Sequence, residues 1–305
     1  MADDIFENEV RPFLFDGVAE GQQRPEFVLL VGQAGAGRSR AVGRLLEELP
    51  GRAVVLRAAD LTPFLHDTQG PDVIRTWISA SLTYAREHRT SIILEDSFRS
   101  VDDANAALNF FERAGFQNRV VAIAVPRAES LLATAARIAR GGAAMRPSQV
   151  SLRAENDAEI STAGQIVSSA PAGTLVSVIA RDGTVSPPVA VAEAASNWRD
   201  AYRTPLPARV SAEWISELRR LTESVLDLPP RSRTHLTEAL IDLHRVALSE
   251  VIPSLPLAGN SPARNQLTVR IRRDLAVLES HTPTLESTPV LPEVAPESQD
   301  GLFGP

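Results

Sequence analysis

The 305-residue chain contains no cysteine and no lysine, so all 31 of its basic side chains are arginines. Without thiols there is no disulfide framework, no thiolate metal site and no cysteine nucleophile, as suits a reducing compartment. No apolar run approaches the roughly 20 residues that span a bilayer. The first residues, MADDIFENEV, are acidic where an export signal is basic and then apolar. These features predict a cytoplasmic chain that makes no use of a membrane. A formal net charge of -7 argues against broad binding to nucleic acid, whose affinity comes from cationic side chains neutralising phosphates. The histidines (His66, His88, His235, His244 and His281) do not combine with carboxylates at metal-ligand spacing.

What is present is an alternation. FVLL from Phe27, AVVLR, SIILE and RVVAIAV are near-continuous apolar runs, as in strands covered on both faces. Between them, Val42, Leu45, Leu46 and Leu49 recur at helical spacing before Pro50-Gly51. Val73, Trp77, Ile78, Leu82 and Ala85 mark a second helix; Val101, Ala104, Leu108 and Phe111 a third, ended by Gly115; SLLATAARIAR a fourth. The pattern predicts an α/β fold, a parallel sheet with helices on both faces. TLVSVIA followed by RDGTVS predicts a further strand and an Asp-Gly turn at a sheet edge. Past Pro188 the chain turns helical, with an apolar stripe through Leu236, Leu240, Leu243, Val246, Ala247 and Val251. From His281 it is rich in Pro, Ser, Thr and Glu, a composition that buries little. The expected organisation is an α/β domain over 1–187, a helical extension over 188–280 and a disordered tail over 281–305.

The segment GQAGAGRS fits the phosphate-loop template G-x-x-x-x-G-K-[ST] except at the lysine, where Arg38 stands. A strand leads in and a helix begins within it. The backbone of Gly32, Gln33, Ala34, Gly35, Ala36, Gly37, Arg38 and Ser39 and the helix N-terminus would then face an anion together. Gly35 and Gly37 let the backbone come close to phosphate oxygens, and Ser39 carries the hydroxyl that ligates Mg²⁺ in such loops. ATP with Mg²⁺ is the predicted cofactor. Arg38 keeps the charge of lysine but not its shape, since a guanidinium is a planar fork and an ammonium a compact point. Two readings stay open: drift to arginine with function retained, or relaxation after turnover ceased.

These residues resemble the zeta toxins and their UDP-N-acetylglucosamine kinase relatives. IFENEVRPFLFDG followed by RPEFVLLVGQAGAGRS is similar to the family's lead-in and loop, with Ala34 for the usual proline and Arg38 for the lysine. The stretch from WISAS to VAIAVP is similar to the family's central part, and SVIARDGTV to its late strand and hairpin, so the resemblance runs from about Ile5 to Pro187. It implies an ATP-dependent phosphotransferase acting on a hydroxyl of a nucleotide sugar, with a small helical antitoxin as partner. It also implies that Asp60 in RAADLTPF is the base toward that hydroxyl. Glu95, Ser97 and Arg99 of LEDSFRS would then lie on the substrate side. Arg137 and Arg146, with Arg38, would neutralise the transferring phosphoryl group. The chain departs from the family at Arg38, at Asp96 in place of glycine and at Ser79 in place of an acidic residue. Those departures keep an alternative open, a catalytically impaired nucleotide-binding pseudokinase whose extension and tail recruit a partner.

Overall fold

The computed structural model describes residues 2–49, 51, 53–66, 70, 72–95, 100–141 and 151–281. Strands β1 (Glu26–Val31), β2 (Ala53–Arg57), β3 (Ser91–Glu95), β4 (Gln117–Ala124) and β5 (Leu175–Ala180) form one sheet in the order β2-β3-β1-β4-β5. Every adjacent pair is parallel, so all five strands end at the same edge. β5 is the outer strand, and the turn after it folds back through antiparallel bridges Ile179 to Val185 and Val176 to Val189. The Asp-Gly turn expected there is formed, with Gly183 at φ +84°.

At the N-terminus, α1 (Ala2–Ile5) and α2 (Arg11–Phe15) flank a π-helical turn and bury Val10, Leu14 and Phe15. The following helices are α3 (Arg38–Glu48), α4 (Ala58–Leu61), α5 (Asp72–Glu87), α6 (Val101–Glu112), α7 (Arg127–Gly141), α8 (Leu152–Ser169) and α9 (Val191–Arg203). Successive strand side chains point to opposite faces, and the two faces have different covers. Phe27, Leu29 and Val31 pack with Trp77 of α5, Phe111 of α6, Ile166 and Val167 of α8 and Trp198 of α9. Val28 and Leu30 pack with Val42 and Leu45 of α3 and with Leu49 just beyond it. Leu46, expected on that buried stripe, is exposed. It lies about 100° round the helix from Leu45, past the margin of the sheet contact.

Helix α8 was not among the expected elements. Its start is capped by Ser151, whose hydroxyl accepts the N–H of Ala154 at 3.2 Å.

A second core lies beside the first. Helices α10 (Ala208–Leu226), α11 (Pro230–Val246), α12 (Ile252–Ser254) and α13 (Pro262–His281) gather around Leu131, Leu132 and Ala135 of α7. The whole stripe from Leu236 to Val251 is buried in it. Polar ties reinforce the seam: Arg127 of α7 pairs with Asp157 of α8 at 2.9 Å and with Glu250, and the Trp214 indole donates to the Ala128 carbonyl at 2.7 Å. Among the described residues no helix is long and apolar enough to cross a membrane. Residues 282–305 of the expected tail lie outside the described residues.

His244 is fully buried in the second core, with Nδ1 2.7 Å from the Leu240 carbonyl and Nε2 buried without a hydrogen-bond partner among the described residues. Burial pushes its pKa down, against the backbone bond to Leu240 and the charge of Asp274. A depressed value in the folded state means stability present above the ordinary histidine pKa of about 6.5 and lost as the pH falls through the lower folded value. The thermal midpoint should therefore drop on acidification from about pH 7 to pH 5, and drop less in His244→Leu. Parallel falls in the two proteins would absolve His244.

Candidate functional site

The strand order brings the ends of β2, β3 and β1 side by side, and the chain leaves β1 through Gly32–Gly37 to enter α3. The first half of this loop is gripped from behind. Gln33 is wholly buried, and its Nε2 donates to the Val125 carbonyl at 2.7 Å and to Ser130 Oγ at 3.3 Å. The Ala34 N–H donates to Glu159 Oε2 of α8 at 2.6 Å. Gly35 adopts φ +81°, and a Cβ placed on it would collide with the Ser130 carbonyl oxygen and lie 2.6 Å from Thr134 Oγ1. Glycine is required here twice over, by torsion and by contact with α7.

The second half is open. Gly37, at φ +93°, is the N-cap of α3. The N–H groups of Gly35, Gly37 and Ser39 make no hydrogen bond among the described residues, and Ser39 is exposed in the first turn of α3. Free backbone donors at a helix N-terminus make a receptacle for phosphate oxygens.

Charged side chains form an alternating row along the strand ends. Arg38 Nε lies 3.6 Å from Glu95 Oε1, Glu95 Oε2 accepts from Arg57 Nε at 2.6 Å, and Arg57 Nη1 lies 3.6 Å from Asp60 Oδ2. Sheet register sets the middle of the row, because Glu95 is paired with Leu30 of β1 on one side and with Arg57 of β2 on the other. The Glu95 side chain is 11% exposed and that of Asp60 38%, so Asp60 is the more accessible carboxylate. Asp60 does not cap the following 3-10 turn, whose N-cap is Leu61. Farther along the edge, Glu129 of α7 pairs with Arg181 at 3.2 Å; burial pushes its carboxyl above the usual range while Arg181 opposes the shift.

Arg38, Asp60 and Glu95 are thus brought together, with Ser39 beside Arg38. Arg137 is exposed on α7 and makes no ion pair among the described residues. It follows Ser130 and Thr134 by seven and three residues, which places it on the helix face that meets Gly35. Ser79 is exposed on α5. Ser97, Arg99, Asp96 and Arg146 lie outside the described residues.

Two participants, Arg57 and Glu159, escaped the reading of the sequence. Arg57 closes an apolar strand run and carries no motif of its own. Glu159 rides on the unexpected α8, for which Ser151 followed by Ile160, Ala163, Ile166 and Val167 was the available signal.

The loop contacts predict an order of costs. Gly35→Ala should destabilise by about 2 kcal/mol or more, since overpacking adds to torsional strain. Gly37→Ala, with no described residue within 4 Å of its added Cβ, should cost only the left-handed backbone penalty of about 1 kcal/mol. Denaturant unfolding measures both, and equal losses would mean that the loop moves off α7 at little cost.

Residues 15–185 match the family model for zeta toxins. A chain from the PezAT chromosomal toxin-antitoxin system of the human pathogen Streptococcus pneumoniae shares the fold, with a TM-score of 0.59 at 16% identity over 74% of this chain and 96% of that one. A search of curated proteins finds no match. The family match spans more than half of the chain and holds the loop, its helix and all five strands, and the chain accordingly belongs to the zeta toxin family.

Proposed function

We propose that this protein is an ATP-dependent phosphotransferase of zeta-toxin type that phosphorylates a hydroxyl of a nucleotide sugar of the UDP-N-acetylglucosamine class. The observation that carries the reading is the meeting of an open backbone anion receptacle with a row of charges ending in the accessible carboxylate of Asp60. The donors of Gly35, Gly37 and Ser39 suit the phosphates of ATP, and the exposed hydroxyl of Ser39 would help to hold a Mg²⁺. Bound there, the metal would supply charge neutralisation.

In the proposed reaction the sugar hydroxyl attacks the γ-phosphorus. A new O–P bond forms, the bond from the γ-phosphorus to the bridging oxygen breaks, and ADP departs. Asp60 accepts the hydroxyl proton. Arg38, Arg137 and Arg146 neutralise charge on the moving phosphoryl group, a task that suits planar guanidinium groups. Glu95, Ser97 and Arg99 hold the acceptor. As in the family resemblance, a small helical antitoxin would act as the partner, and the chain would work in the cytoplasm.

A second reading has one observation in its favour. Arg38 stands in the lysine position and is paired with Glu95 at 3.6 Å, so the loop's cation is directed sideways along the strand ends. A protein that binds nucleotide without turning it over, and acts by recruiting a partner, would tolerate that.

Transfer from labelled ATP and Mg²⁺ to a panel of UDP-sugars separates the two. The natural protein should transfer phosphate, and Asp60→Ala should lower the rate by about 10²–10⁴. Arg38→Lys should be at least as active as the natural protein. Silence in both the natural protein and Arg38→Lys, each correctly folded, would favour the non-catalytic reading.

A further inference from the structure

Among the described residues Glu95 has two guanidinium partners and holds them unequally. Arg57 Nε lies 2.6 Å from Oε2, while Arg38 Nε stands off at 3.6 Å from Oε1. The carboxylate is largely buried, and removing a buried charge's only counter-ion costs several times more than loosening one of two pairs. Arg38 must leave Glu95 if it is to meet a phosphate in the adjacent loop. We propose that Arg57 is a positioning residue of the phosphate loop. By keeping Glu95 neutralised, it lets Arg38 pass from that carboxylate to the phosphates of an incoming nucleoside triphosphate. This inference rests on the functional reading above and explains how an arginine in the lysine position is made usable.

The fold supports the assignment. Arg57 is the last residue of β2 and is in register with Glu95, so strand pairing fixes where its side chain begins. Its Nη1 lies 3.6 Å from Asp60 Oδ2, which gives it a second anchor independent of Arg38. The forked guanidinium serves both carboxylates at once, through Nε and Nη1. A lysine ammonium at this position is a single point and would serve one of them poorly.

The test is equilibrium binding of a fluorescent ATP analogue with Mg²⁺ to the full chain, comparing the natural protein with Arg57→Met, Arg57→Lys, Glu95→Gln and the double variant Arg57→Met/Glu95→Gln. Arg57→Met should bind about tenfold more weakly, because Arg38 then has to stay with Glu95. Arg57→Lys should recover part of the loss. Glu95→Gln alone should bind at least as tightly as the natural protein. The double variant should return to within about twofold of the natural affinity, since the carboxylate that detains Arg38 is gone.

A merely structural Arg57 would give a double variant as weak as Arg57→Met, and that result overturns the proposal. So does natural affinity in Arg57→Met, or weakened binding in Glu95→Gln, which decides the matter even if Arg57→Met fails to fold. A natural protein that binds no analogue at all would instead remove the phosphate-loop reading and this proposal with it.

Discussion

The approach of Gly35 to the Ser130 carbonyl is the contact around which this molecule is arranged. The Gly35 backbone lies so close to α7 that no side chain fits between them. That closeness needs the left-handed torsion at Gly35 and the buried amide of Gln33 reaching Val125 and Ser130. It also needs a helix α7 that does not drift. Immobility comes from the far side, where Leu131, Leu132 and Ala135 are packed into the second core and Arg127 is tied to Glu250. The open half of the loop owes its shape to the gripped half.

Electrostatics at the strand ends follow from the same parallel topology. Three strands finishing together set Arg57, Glu95 and the start of the loop in one line. Opposite charges then alternate from Arg38 through Glu95 and Arg57 to Asp60. In such a row Arg57 and Glu95 hold each other before a ligand arrives, so that the movement left for binding is that of Arg38 alone.

Much of this was legible in the chain itself. The apolar runs and TLVSVIA gave all five strands in their true places, and the phosphate-loop spelling located the anion receptacle through glycines that only backbone geometry explains. Asp60 and Glu95 were approached by resemblance, and the structure sets them one arginine apart. What could not be read was anything that depends on which strands are neighbours. Arg57 gains its place from pairing with β3, a strand more than thirty residues later. Helix α8 was obscured by its composition: Asp, Glu, Ser and Thr are scattered through it, and its buried positions are a minority. Leu46 looked like core because spacing alone does not mark the margin of a buried face.

The buried part of α7, with Ser130, Leu131, Thr134 and Ala135, lies between the phosphate loop and α8 on one side and the C-terminal helices on the other. That stretch opens fully when one of those two walls lets go as a unit. Fluctuations that would ordinarily open a glycine-rich turn are thereby tied to the cooperative unfolding of a helical core some distance away. The most flexible spelling in the chain thus inherits the persistence of its most rigid neighbour.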